Sequence, residues 1–291
     1  MKILTFMNIK GGVGKTTLSY ATVCLFKRQV KLGKEPKVLA IDIDQQANLT
    51  RLLIRSEVKD MAERVNINMI FDNKVTPEKV AEEIIYASKV EYADIIPSSI
   101  LIGINEYKNQ SAIDSYNRLK RLISVIGDKY DLIVIDTPPS VDIYTTNALL
   151  AANYVVIPIA PNFLSTQGIK LLMDNIVNIQ NYNSNLNILG LIINQTDRRY
   201  KEHKIFFQYL QRISKFKIYE PLIGMSAGIQ KFVTNPKLIS SREMFRSRGF
   251  WDLYRVTRNV LRDIFGPELV PIPEHENEEL GVDYDAEEAI T

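Results

Sequence analysis

A run of glycines between two lysines, and three aspartates placed after apolar segments, are the residues of this 291-residue chain whose types and spacing can do chemistry. Residues 10 to 17 read Lys10-Gly11-Gly12-Val13-Gly14-Lys15-Thr16-Thr17. Glycines let a backbone turn its N–H groups inward around an anion, where side chains would block close approach. Gly14, Lys15 and Thr16 fill the closing end of the G-x-x-x-x-G-K-[ST] phosphate loop. That places Lys15 for the terminal phosphates of a nucleoside triphosphate and the Thr16 hydroxyl for Mg²⁺. A lysine at position 10 is not required by such a loop, and its plain reading is a solvated surface charge.

The carboxylates sit where such a loop would use them. One apolar run ends Ile41-Asp42-Ile43-Asp44-Gln45, and another, Leu132-Ile133-Val134-Ile135, ends in Asp136 followed by Thr137-Pro138-Pro139-Ser140. Each alone is an ordinary acidic strand end. Together with the glycine loop they predict a magnesium-holding carboxylate at Asp136.

Elements must deliver these groups to one place. Continuous apolar runs predict strands at Lys2–Asn8, Lys37–Asp42, Ala93–Ile96, Asp131–Asp136, Tyr154–Ile159 and Ile188–Asn194. Helical patterns cover Thr17–Leu32, Pro77–Ser88, Asn105–Ile126, Thr145–Ala152, Gln167–Tyr182 and Lys201–Ile213, with a mainly helical stretch after Tyr219. Strands that are apolar throughout are parallel strands covered on both faces, so the expected fold is α/β. It is a doubly wound, mostly parallel sheet with helices on both faces, whose ligands bind beyond the carboxyl ends of the strands. Residues 1–266 read as one domain and 267–291 as an acidic, disordered tail.

The run K-G-G-V-G-K-T-T resembles the deviant Walker A motif of the ParA/MinD branch of P-loop ATPases. The D-x-D segment at Asp42 and Asp44, the Walker B-like strand ending at Asp136, Ile96-Pro97-Ser98-Ser99, Asn147-Ala148-Leu149 and Val156-Ile157-Pro158-Ile159 follow in the family's order. The resemblance spans residues 2 to about 235. It implies a nucleotide-bridged homodimer in which Lys10 reaches the partner's phosphates, Asp44 positions the attacking water and Asp42 supports the magnesium side. Residues 10 to 17 would hold ATP and Mg²⁺, with Thr16 and Asp136 at the metal and Asn194 and Pro221 near the base. Gln46 departs from the Pro-Gln of many relatives and leaves the path of that loop open.

Composition narrows the partners. The single cysteine, Cys24, excludes an internal disulfide and a shared iron–sulfur cluster, and no run is long and apolar enough for a membrane span. A cytoplasmic protein is expected, nucleoid-associated when ATP-bound. The net charge of +2 hides an asymmetry: nine acidic residues and no Lys or Arg from Pro267 to Thr291 leave 36 basic against 25 acidic residues in 1–266. Between Arg198 and Arg262 fifteen Lys/Arg face four Asp/Glu, a pattern typical of a polyanion-binding region. The candidate contacts are Arg198, Arg199, Lys201, Lys231, Lys237, Arg242, Arg246 and Arg248. A helix from Phe250 would add Arg255, Arg258 and Arg262 along one flank beside Trp251.

The family resemblance makes nonspecific double-stranded DNA the expected polyanion and a ParB-like centromere-binding adaptor the expected trigger of slow ATP hydrolysis. Plasmid or chromosome partition is the function it implies. Because the chain begins at the first strand, no N-terminal operator-binding domain is expected. A MinD-like membrane-associated positioning ATPase is the alternative, with the Trp251 helix as an interfacial segment; the acidic end of the chain opposes it. A metabolic ligase built on the same loop is a third class, against which Lys10 argues.

Overall fold

Apolar runs such as Leu132-Ile133-Val134-Ile135 are stable as strands only where both faces are shielded from water, and the sheet is built in that way. The computed structural model describes residues 1–72, 74–100, 113–162, 165–197, 199–235 and 246–272. Among these, the strands are β1 (Lys2–Phe6), β2 (Val38–Asp42), β3 (Tyr86–Ala87), β4 (Ala93–Ile96), β5 (Leu132–Asp136), β6 (Tyr154–Ile159), β7 (Asn187–Ile193) and β8 (Ile218–Tyr219). Their order across the sheet is β3-β4-β2-β5-β1-β6-β7-β8, and only the edge pair β3–β4 is antiparallel.

The helices are α1 (Lys15–Gln29), α2 (Asn48–Leu53), α3 (Lys59–Ala62), α4 (Pro77–Val80), α5 (Arg118–Ile126), α6 (Ile143–Ala151), α7 (Ser165–Gln180), α8 (Lys201–Ile213), α9 (Ala227–Thr234) and α10 (Arg248–Phe265). One face of the sheet is covered by α1, α9 and α10 through Leu18, Phe26, Phe232, Phe250 and Leu253. The other is covered by α5 to α8 through Leu122, Leu149, Ile176, Phe206 and Leu210. Helix α1 is buried from Leu18 to Phe26 because it lies between the sheet and α10.

Most predicted elements recur within two or three residues, with β4, β6 and α8 at the expected bounds. The helix expected over Pro77–Ser88 does not. It stops at Val80, and Tyr86 and Ala87 pair with β4 instead. Ile84, Ile85 and Tyr86 favour extended backbone, and the Tyr86 hydroxyl donates to the Val65 carbonyl at 2.9 Å. The helix expected over 105–126 is seen as α5, starting at Arg118, and residues 101–112 lie outside the described residues. Of the tail expected at 267–291, the first residues are packed: Val270 is fully buried and the Lys31 N–H donates to the Leu269 carbonyl at 2.8 Å, while residues 273–291 lie outside the described residues.

Helices α9 and α10 begin almost in contact. A Cβ on Gly228 would lie 2.0 Å from Ser247 Oγ, and one on Gly249 would lie 2.3 Å from Ser226 Cβ. The two serine hydroxyls bond at 2.7 Å.

Candidate nucleotide site

The strand order brings the chemistry together. Because β5 inserts between β2 and β1, their carboxyl ends are neighbours, with Phe6 opposite Asp136 and Asp136 opposite Asp42. The glycine loop leaves β1, Asp42 closes β2 and Asp136 closes β5. Both carboxylates are fully buried.

The loop is shaped by its own glycines and by two neighbouring strands. Gly12 and Gly14 have φ of +75° and +95°, which L side chains rarely adopt. A Cβ on Gly14 would lie 2.0 Å from Asn194 Nδ2. Asn8 ties the loop to β6 by donating from Nδ2 to the Pro158 carbonyl at 2.7 Å, and its Oδ1 accepts the Lys10 N–H at 2.9 Å. Lys15 is buried, and its Nζ donates to the carbonyls of Asn8 and Lys10 at 3.0 and 3.3 Å. Burial lowers its pKa, and the carboxylates of Asp136 and Asp44 oppose that shift. Lys10 is half-buried at the loop's start, and Thr16 and Thr17 open α1.

Asp136 is the group that asks for a cation. One oxygen accepts the Ser19 hydroxyl at 3.0 Å, and the Thr16 hydroxyl also bonds to the carboxylate. Its other oxygen is buried with no hydrogen-bond partner. Burial pushes its pKa upward, a cost that a bound cation removes. Among the described residues no group of three or more His, Cys, Asp or Glu could hold a metal ion. The Asp136 carboxylate and the Thr16 hydroxyl suit Mg²⁺, which takes one or two protein oxygens and completes its shell with phosphates and water.

Asp42, expected to support the magnesium side, is hydrogen-bonded through both of its carboxylate oxygens. Its Oδ1 accepts the Asp44 N–H at 3.1 Å, and its Oδ2 accepts both the N–H and the hydroxyl of Thr50 at 2.8 Å. These bonds hold the segment that carries Asp44. Burial, then the neighbouring Asp136, raises the Asp42 pKa against the Thr50 bonds. Asp44 is also buried, and its Oδ1 accepts the Gln46 N–H at 2.9 Å. Its carbonyl accepts the Ala47 N–H at 2.8 Å. Ala47 has φ +51° and starts α2, which settles the path of the loop at Gln46.

Asn194 and Gln195 show a contact that sequence reasoning missed. Asn194 Nδ2 donates to the Val13 carbonyl at 2.9 Å, and Gln195 Nε2 donates to the Gly12 carbonyl at 2.6 Å. Expected near the base, Asn194 here grips the loop itself. Pro221 follows β8, and the segment it opens runs beside Thr196, whose N–H donates to the Ile223 carbonyl at 2.9 Å. A cavity of about 260 Å³ lies there, lined by Thr196, Tyr200, Phe207 and Leu222 among others.

The basic stretch divides. Arg199 and Lys201, at the start of α8, are exposed, and Arg199 pairs with Asp197 at 2.6 Å. Lys231 and Arg246 are exposed, while Arg248, Arg255 and Arg262 are half-buried on the opposite face of the sheet. Arg258 is buried at 4% exposure, so it is not a surface contact as expected. Burial also lowers its pKa. Helix α10 packs against both α1 and α9, so its buried arc is wider than a single apolar face. Trp251 is buried too, stacked on Tyr254 at 5.4 Å, which removes the interfacial anchor of the membrane alternative. No described helix is long and apolar enough to cross a membrane. Arg198, Lys237 and Arg242 lie outside the described residues.

Comparison with known proteins agrees with this geometry. The AAA domain family matches residues 1–188. The sporulation initiation inhibitor protein Soj of Bacillus subtilis is 32% identical over 253 residues, 85% of this chain and 93% of Soj. A ParA family protein of Chlamydia trachomatis is 30% identical over 264 residues, 90% of this chain and 98% of that protein. Among solved structures, a Borrelia burgdorferi protein assigned to plasmid partition and bound to AMPPNP has TM-score 0.68 at 25% identity, covering 89% of this chain and 99% of its own. Cobyrinic acid a,c-diamide synthase from Mycobacterium smegmatis, with an ATP analogue and magnesium, has TM-score 0.72 at 21% identity over 94% of this chain and 99% of its own, which shows the shared fold. The chain belongs to the ParA family of P-loop ATPases.

Proposed function

We propose that the chain is an ATP-dependent DNA-segregation ATPase for plasmid or chromosome cargo. The observation that carries this reading is the convergence of Lys15, Asp44 and Asp136 on one glycine loop that starts at Lys10. The N–H groups of residues 11 to 17 and the Lys15 ammonium hold the terminal phosphates of ATP. Thr16 and Asp136 hold Mg²⁺, which neutralises charge on the phosphate oxygens. Asp44, fixed through Asp42 and Thr50, orients the attacking water. Lys10 of one copy acts on the phosphates bound by the other, so hydrolysis requires a dimer. The bond formed is from water oxygen to the γ-phosphorus, the bond broken is to the ADP oxygen, and ADP and phosphate leave.

The dimer binds double-stranded DNA nonspecifically through Arg199, Lys201, Lys231, Arg246, Arg248, Arg255 and Arg262. A ParB-like adaptor stimulates slow hydrolysis and so releases it. DNA binding measured with ATP, ADP and a nonhydrolysable analogue at several salt concentrations tests this. The expected result is ATP-dependent binding whose logarithm falls with log salt by about 0.9 per phosphate contact. Lys10→Ala is expected to bind ATP within about twofold of wild type and to lose about 10³-fold of its stimulated turnover. DNA binding indifferent to nucleotide, or normal turnover in that variant, would defeat the reading.

A further inference from the structure

Loops that cradle phosphate face a geometric demand that their glycines alone do not meet. A glycine permits the turn without selecting it, so something must hold the peptide planes in the orientation that aims N–H groups inward. Here two consecutive carbonyls of the loop, those of Gly12 and Val13, are held from outside by two consecutive amide side chains, Gln195 and Asn194. In a trans peptide the C=O and the following N–H point in opposite directions. Fixing the Gly12 and Val13 carbonyls outward therefore aims the Val13 and Gly14 N–H groups to the other side, toward the anion.

The residues that do this are themselves constrained. The Asn194 N–H donates to the Ile159 carbonyl at 2.8 Å, and the Thr196 N–H donates to the Ile223 carbonyl at 2.9 Å. Gln195 is pinned between them with φ +60°, a left-handed conformation uncommon for a residue with a side chain. Its own N–H donates to Asn194 Oδ1 at 2.8 Å, which fixes the Asn194 amide with Nδ2 turned to Val13. The missing Cβ of Gly14 leaves room for that amide. Gln195 is exposed, so no core packing requires its side chain.

We propose that Gln195 is a positioning residue for phosphate binding, which together with Asn194 clamps the Gly12 and Val13 carbonyls and preorganises the anion nest. The clamp rests on the reading of this loop as a nucleotide site. Gln195→Gly and Gln195→Glu test it by different routes. The glycine variant removes the amide and relieves the left-handed backbone, so it is expected to fold at least as stably as wild type. The glutamate variant keeps the shape and replaces the donor with an acceptor. Both are expected to bind Mg·ADP about 3- to 10-fold more weakly, the loss of one hydrogen bond. Amide hydrogen exchange at Val13 and Gly14 in the nucleotide-free protein is expected to speed up, while melting temperatures stay within about 2 °C of wild type or rise. If both variants bind Mg·ADP within twofold of wild type with unchanged exchange at Val13 and Gly14, the clamp is overturned. If wild type itself fails to bind Mg·ADP, the reading of the loop falls, and the clamp with it.

Discussion

An alanine at position 14 would fail for two separable reasons. Its Cβ would meet Asn194 Nδ2 at 2.0 Å, and its backbone would have to hold φ +95°. Gly14→Ala is expected to lower the melting temperature and abolish ADP binding. Adding Asn194→Gly removes the collision but leaves backbone strain of about 1–2 kcal/mol, so the double variant should recover only part of the loss in a thermal melt. Asp136 offers the reverse case. Asp136→Asn removes a buried charge with an unpartnered oxygen, so without nucleotide it should melt at or above the wild-type temperature. In ADP titrations with and without magnesium, the metal should no longer strengthen its binding. Gly14, Lys15 and Asp136 were legible because local spacing announces them. The grip of Asn194 and Gln195 was not, since those bonds join residues 181 and 183 positions apart.

Helix α10 shows how an element can mislead a reader of sequence. Its period suggested one apolar face and a free basic flank, but α1 and α9 both pack on it, and Arg258 and Trp251 fall inside the widened arc. Arg258→Ala is accordingly expected to destabilise the fold by about 1–3 kcal/mol in urea unfolding, through lost packing rather than lost DNA contact. Arg255→Ala and Arg262→Ala should leave stability within about 0.5 kcal/mol and lower the salt slope of DNA binding by about 0.9 each if they touch phosphate. Strands of four or more residues were readable from sequence. Those of two residues, β3 and β8, are too short to carry a period and depend on β4 and β7 for partners.

For the whole molecule, the doubly wound sheet followed from continuous apolar runs, whereas the division of basic residues between its two faces did not. Only the crossover that puts α8 on one side and α10 on the other decides that. If Asp44 orients the water, Asp44→Ala should hold an ATP-bound dimer that stays on DNA. Light scattering with ATP checks this, and a monomer would remove the assignment. The contact of Gly228 with Ser247 and Gly249 with Ser226 bears on packing at this scale. With no side chain between their first turns, α9 and α10 leave no room there for even a methyl group, so Gly228→Ala or Gly249→Ala would force their N-terminal ends apart. The same seam reaches Gly224, whose carbonyl lies against Gly249 and which bridges to Thr196, two residues beyond the Asn194 amide that grips the loop. A methyl group added at that seam would therefore press on the same run of chain that steadies the phosphate loop, and its cost would be read in nucleotide affinity as well as in a thermal melt.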